Sequence, residues 1–80
     1  MRKLVKLSAG SKASQYLFAK SEVAVIRMIC RQYSNQEMAD KLGLSIRTIE
    51  GYRDTIFKKT RAKNSVGVVL YALRHGIFKI

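Results

Sequence analysis

Proline is absent from this 80-residue chain, and cysteine and histidine occur once each. A single cysteine excludes an internal disulfide and any zinc site built from several thiolates. With one histidine, one cysteine and no glycine-rich phosphate loop, no set of nucleophile, base and orienting group can be assembled. The chain is therefore not read as an enzyme, and no catalytic residue, metal ligand or cofactor is expected. No apolar run approaches the ~18 residues that cross a bilayer. Residues 1–7 are basic, but no long apolar segment follows them as in a secretory signal. The expected location is the reducing cytoplasm. Acidic residues are also scarce, five against sixteen lysines and arginines, which leaves a net charge of +11.

What remains is 48% hydrophobic and 26% charged. Without proline, that is the composition of a compact, mostly helical globule and not of a disordered chain. The length suits one domain with one modest core. So large a positive charge disfavours the compact state unless a counter-charged partner is near. Nucleic acid is the first candidate, because each phosphate neutralised releases condensed counterions. An anionic membrane surface is the second, and a basic surface with no dedicated partner is the plain alternative.

Residues 1–15 read as a flexible arm or linker, with Ser8, Ala9, Gly10, Ser11, Ala13 and Ser14 among scattered lysines. Residues 3–7 alternate weakly, as a short strand would. From Tyr16 onward the helical period is strong, so a domain over residues 16–80 is expected. The first helix spans residues 20–32, with Val25, Ile26, Ile29 and Cys30 as its buried stripe. The second spans 35–42. It opens with Ser34-Asn35-Gln36-Glu37, the spacing of a capping box, and Gly43 ends it. The third spans 45–60 with Ser45 as N-cap. The fourth spans 64–75 with Asn64 or Ser65 as N-cap and Gly76 at its end, where Ile77 and Phe78 fold back. The expected fold is all-α, a four-helix bundle containing a helix-turn-helix, with a flexible N-terminal arm.

Each residue of the third helix advances ~100° around its axis. With Ile49 at the centre of the core face, Ile46, Tyr52, Ile56 and Thr60 fall within ~60° of it and Phe57 lies just beyond. The opposite face collects Arg47, Gly51, Asp54 and Lys58, flanked by Glu50 and Arg61. Such a face can be plainly solvated, or it can enter the major groove, which admits one helix. Gly51 favours the second reading, since a glycine inside a helix costs about 1 kcal/mol relative to alanine and close approach of a partner would justify it. Arg47 and Lys58 can reach phosphate or guanine, and Glu50 can accept from cytosine N4. Asp54 would repel phosphate unless it pairs with Lys58 one turn on.

These residues carry a family resemblance. Residues 18–78 resemble the LuxR-type (NarL/FixJ/GerE-like) helix-turn-helix domain, the DNA-binding output domain of many bacterial response regulators. The resemblance rests on Glu22 with residues 25–29; Tyr33-Ser34-Asn35-Gln36-Glu37-Met38-Ala39; Leu42-Gly43-Leu44-Ser45; Arg47-Thr48-Ile49-Glu50; Ile56 with Lys59; and residues 64–77. It implies that residues 45–60 form the recognition helix and that 64–75 form the dimer-contacting helix. It implies phosphate contacts at Ser45, Arg47 and Thr48, and base contacts at Glu50, Gly51 and Asp54. The full anchoring set expected on the DNA backbone is Ser34, Ser45, Arg47, Thr48, Arg53, Lys58, Lys59, Arg61 and Lys63.

The chain departs from the family at several positions. Ala19 stands where threonine is usual, so Ser21 is expected to cap the first helix. Gln32 stands where a small turn residue is common, Tyr52 where histidine is common and Arg61 where glycine is common. Glu50 and Asp54 occupy positions at which many relatives carry lysine. The last helix has two apolar stripes: Val66, Val69, Leu70 and Leu73 on one, and Val68, Tyr71 and Ala72, ending in His75, on the other. One faces the core. The other is either covered by the arm or makes a two-fold contact, with Val68, Tyr71, Ala72 and His75 as the expected dimer residues.

The function expected is sequence-specific binding of double-stranded DNA by a homodimer that regulates transcription, with RNA polymerase as a candidate protein partner and no membrane. The competing reading is a helix-turn-helix protein-interaction module with an acidic protein partner and little affinity for DNA. A sigma-factor-like domain leaves the fourth helix without a role.

Overall fold

A computed structural model describes residues 17–80. The expected arm over 1–15, with its short strand at 3–7, lies outside the described residues. Four helices follow in order: α1, Lys20–Cys30; α2, Asn35–Leu42; α3, Ile46–Thr60; α4, Ser65–Arg74. No strand occurs among the described residues. The architecture is all-α, as the periodicity predicts.

Helix α1 begins at Ala19, which has no side-chain acceptor. Ser21 does not replace the missing cap. Instead the Glu22 carboxylate accepts from the Ala19 N–H at 3.0 Å, half of a capping box. Helix α2 has the full box: the Glu37 N–H donates to Ser34 Oγ at 3.1 Å, and the Ser34 N–H donates to Glu37 Oε1 at 2.8 Å. Ser45 caps α3 by accepting from the Thr48 N–H at 3.1 Å. Asn64, not Ser65, caps α4, taking the Gly67 N–H at 3.2 Å.

Three helices close with the paired backbone bonds that left-handed residues allow. Gly43 (φ 66°) ends α2, and the Leu44 N–H reaches the Ala39 carbonyl at 2.9 Å. Gly76 (φ 72°) ends α4, and the Ile77 N–H reaches Ala72 O at 2.9 Å. Gln32 does the same for α1 at φ 66°, with the Tyr33 N–H on Met28 O at 3.0 Å. That is why α1 stops at Cys30, short of the expected residue 32. Arg61 leaves α3 at φ 60°. There the Thr60 hydroxyl donates to Ile56 O at 2.9 Å and accepts the Ala62 N–H at 3.3 Å.

Helix α4 packs most extensively on α1, while α3 lies against α1, α2 and α4. The core is Val25, Ile26 and Ile29 of α1, Met38 and Ala39 of α2, Ile49 and Ile56 of α3, and Val68 and Ala72 of α4, closed by Phe18 and Ile77 from the flanks. Cys30 is half-buried against this core, and burial pushes its thiol up. Tyr52 and Phe57 also pack at the core edge. Ile46 departs from its expected place: as the first residue of α3 it projects past the neighbouring helices and is 39% exposed.

The fourth helix requires a correction. Val68 and Ala72 are fully buried, so they are core residues and not outward dimer contacts. Tyr71 and His75 lie half-buried at the edge of the same stripe, their rings stacked at 4.1 Å. The stripe that faces outward carries Val66 (64% exposed) and Leu70 (48% exposed). Both stripes are apolar, so periodicity cannot tell which one turns inward. The first turn of this helix has no room for a side chain at its third residue. A Cβ on Gly67 would stand 2.8 Å from Ala62 Cβ.

Candidate nucleic-acid interface

Helices α2 and α3 are joined by a three-residue turn, Gly43, Leu44 and Ser45. Because Ile49 and Ile56 anchor α3 inward, its opposite side is presented to solvent along its whole length. Arg47, Glu50, Gly51, Asp54 and Lys58 are all exposed there. The sequence wheel and the structure agree on this face.

Its chemistry is mixed and partly self-neutralised. Lys58 Nζ lies 3.2 Å from Asp54 Oδ2, with both side chains well exposed. A pair of this kind contributes a few tenths of a kcal/mol at most. Its larger effect is to offset the negative charge that Asp54 would present to an anionic ligand. At the start of α3, the Ser45 and Thr48 hydroxyls bond each other at 2.9 Å. Arg47, between them in sequence, is exposed. Gly51 stands in open space: a Cβ there would meet nothing within 4 Å. The fold does not require glycine at this position.

Three of the expected anchoring residues occupy other settings. Lys59 is turned inward. Its ammonium donates to Glu22 Oε1 at 3.0 Å and to the Leu17 carbonyl at 2.9 Å, and it lies 5.4 Å from the centre of the Phe18 ring. Glu22 is only 8% exposed, so this pair joins the end of α3 to the start of α1. Arg53 is half-buried: Nη2 donates to Ser65 Oγ at 3.3 Å, and the guanidinium lies over the Phe57 ring at 5.5 Å. Ser34 is committed to its helix cap. Arg61 and Lys63 are exposed in the turn after α3.

A shallow hollow on the flank of α3 is lined by Asn35, Glu50, Arg53, Asp54 and Phe57. Asn35 is the member that sequence reasoning missed. It is the first residue of α2, and only the crossing of α2 over α3 brings it beside Glu50 and Asp54. The capping-box motif next to it was the one available signal.

A family model for bacterial regulatory proteins of the luxR family matches residues 16–72. The chain belongs to that family. The luxR-family domain is 33% identical over 58 residues to the oxygen regulatory protein NreC of Staphylococcus carnosus (strain TM300), covering 72% of this chain and 27% of that protein. The same identity and coverage hold for NreC of Staphylococcus aureus strains JH9 and JH1. The chain thus spans about a quarter of the length of these curated relatives. No solved structure matches it. Gln32 and Arg61 are the two non-glycine residues of positive φ among those described in this luxR-family chain. Among the described residues no helix is long and apolar enough to cross a membrane, and no group of three His, Cys, Asp or Glu could hold a metal ion.

Proposed function

We propose that this domain binds double-stranded DNA by placing α3 in the major groove, and that it does so in the cytoplasm to regulate transcription. The observation that carries the reading is the outward face of α3, where Gly51 leaves a gap flanked by Arg47, Glu50, Asp54 and Lys58. A groove wall can approach that gap, and side chains on either side can reach base edges. Glu50, Gly51 and Asp54 are the proposed base-facing positions. Ser45, Arg47, Thr48, Lys58, Arg61 and Lys63 are the proposed phosphate contacts. Arg53 serves from the flank through its guanidinium, and Ser34 serves by capping the start of α2. Lys59 positions α3 instead of touching DNA. Membership of a family of bacterial regulatory proteins, with relatives named oxygen regulatory proteins, supports the reading.

The domain acts as a homodimer through the outward stripe of α4, Val66 and Leu70, with Tyr71 and His75 at its border. RNA polymerase is the protein that a bound dimer would contact. Titration of the chain into mixed duplex fragments at two salt concentrations, with light scattering on the same samples, tests this. Tight binding, a steep salt slope and two chains per site are expected. Weak binding to every fragment with no salt slope would overturn it.

A further inference from the structure

The positive charge of this chain is not concentrated where the helix-turn-helix would use it. Residues 34–60 hold Lys41, Arg47, Arg53, Lys58 and Lys59 against Glu37, Asp40, Glu50 and Asp54, a surplus of one. Outside that segment, among the described residues, stand Lys20, Arg27, Arg31, Arg61, Lys63, Arg74 and Lys79 against Glu22 alone. Glu22 is buried and paired with Lys59, so it offsets nothing on the surface.

Part of that surplus is organised. At ~100° per residue, Lys20, Arg27 and Arg31 fall within about 40° of one another on α1. All three are exposed, on the side opposite Val25, Ile26 and Ile29. They make a basic stripe about 16 Å long. Two of the three are held in place. Arg27 Nε donates to the Ile77 carbonyl at 3.1 Å, and the Arg31 guanidinium lies over the Phe78 ring at 5.8 Å. Exposed Lys79 extends the stripe along the returning C-terminal segment. The stripe occupies the side of α1 turned away from the core, and none of its residues belongs to α3.

We infer that this stripe is a second interaction surface, one that receives the carboxylates of an acidic protein while α3 remains available to DNA. Three features favour a protein over a second nucleic acid. With Nε committed to Ile77 O, Arg27 presents its two Nη groups as a fork that matches a carboxylate. Half-buried Met28 and Phe78 border the arginines, and such an arginine–apolar mixture is enriched at protein interfaces. The row is also short, and both arginines have partners within the fold, whereas sequence-independent phosphate binding tolerates mobile lysines. The inference concerns a different face from the proposed DNA contact and stands if that contact fails.

The test is a titration of the isotope-labelled full chain with polyglutamate, followed by amide and arginine side-chain NMR signals, on the free chain and on the chain saturated with duplex. Signals of Lys20, Arg27, Arg31 and Lys79 should move in both samples, while those of α3 stay where duplex left them. Lys20→Gln/Arg31→Gln should abolish these shifts. It leaves the Arg27–Ile77 bond intact, and the amide spectrum of the free variant checks that its fold is unchanged. Arg27→Lys/Arg31→Lys keeps the charge but removes the forks, and should weaken polyglutamate several-fold. The inference is overturned if polyglutamate moves α3 and displaces duplex, if excess duplex occupies the α1 stripe in preference to polyglutamate, or if the lysine variant binds as tightly as the unaltered chain.

Discussion

The Lys59 ammonium stands 3.0 Å from the Glu22 carboxylate, joining the last turn of α3 to the first turn of α1. A lysine of α3 is thereby committed to the fold, while its neighbour Lys58 faces out. Truncating Lys59 to alanine strands a nearly buried carboxylate. The loss should be about 1–3 kcal/mol, below the full cost of an uncompensated buried charge because Lys59 itself is a third exposed. Urea melts would measure it. Adding Glu22→Gln to Lys59→Ala should recover part of the loss.

Lys58 provides the contrast. Lys58→Ala should leave stability within ~0.5 kcal/mol. It should weaken binding to all duplexes alike and lower the salt slope by about one. Glu50→Ala should change sequence preference more than overall affinity. Equal weakening by both substitutions on every duplex would show that the outward face is misassigned.

Gly51→Ala separates folding from binding. Nothing in the fold occupies the space of the new methyl group. The domain should gain about 0.5–1 kcal/mol, seen as a melting temperature higher by several degrees. Affinity for DNA should fall at the same time. A stabilised variant with unchanged affinity would remove Gly51 from the interface.

Gln32→Gly relieves a side chain held at φ 66°. Non-glycine residues in that region cost roughly 1–2 kcal/mol, part of which glycine returns as unfolded-state entropy. A net gain of a few tenths to about 1 kcal/mol is expected from thermal melts. Arg61→Gly should give a similar gain and, since Arg61 is a proposed phosphate contact, a shallower salt slope.

Leu70→Glu should abolish the proposed dimer in light scattering while leaving the melting transition nearly unchanged, because Leu70 is half exposed. Val68→Asp should unfold the domain instead, since it buries a charge in the core.

The four helices, the caps of α2 and α3 and the glycine turns were legible because each depends on neighbours three or four residues away: Ser34 with Glu37, Ser45 with Thr48, Gly43 and Gly76 at their turns; the start of α1, where Glu22 and not Ser21 holds the free N–H, was not. The outward face of α3 was legible for the same reason, since Ile49 and Ile56 fix its angle. What escaped the sequence depends on distant partners. Lys59 lies on the flank of α3, and only Glu22, 37 residues away, decides that it turns inward. Asn35 reaches the flank of α3 through a helix crossing. The two stripes of α4 are equally apolar, and α1 chooses between them. Gln32 and Arg61 take positive φ although their residue types disfavour it, because the helices on either side must turn there.

The short segment ahead of α1 sets where this domain can be cut. Phe18 is 4% exposed and meets Tyr71 of α4 edge to face, with ring centres 5.9 Å apart, and the Leu17 carbonyl is an acceptor for Lys59. A fragment trimmed to Lys20, the first residue of α1, would keep all four helices and yet lose a wall of the core and the second anchor of Lys59. The folding unit is therefore larger than its helices, and a fusion partner or protease site placed at residue 19 would compromise it, whereas one placed ahead of Leu17 would leave these contacts in place.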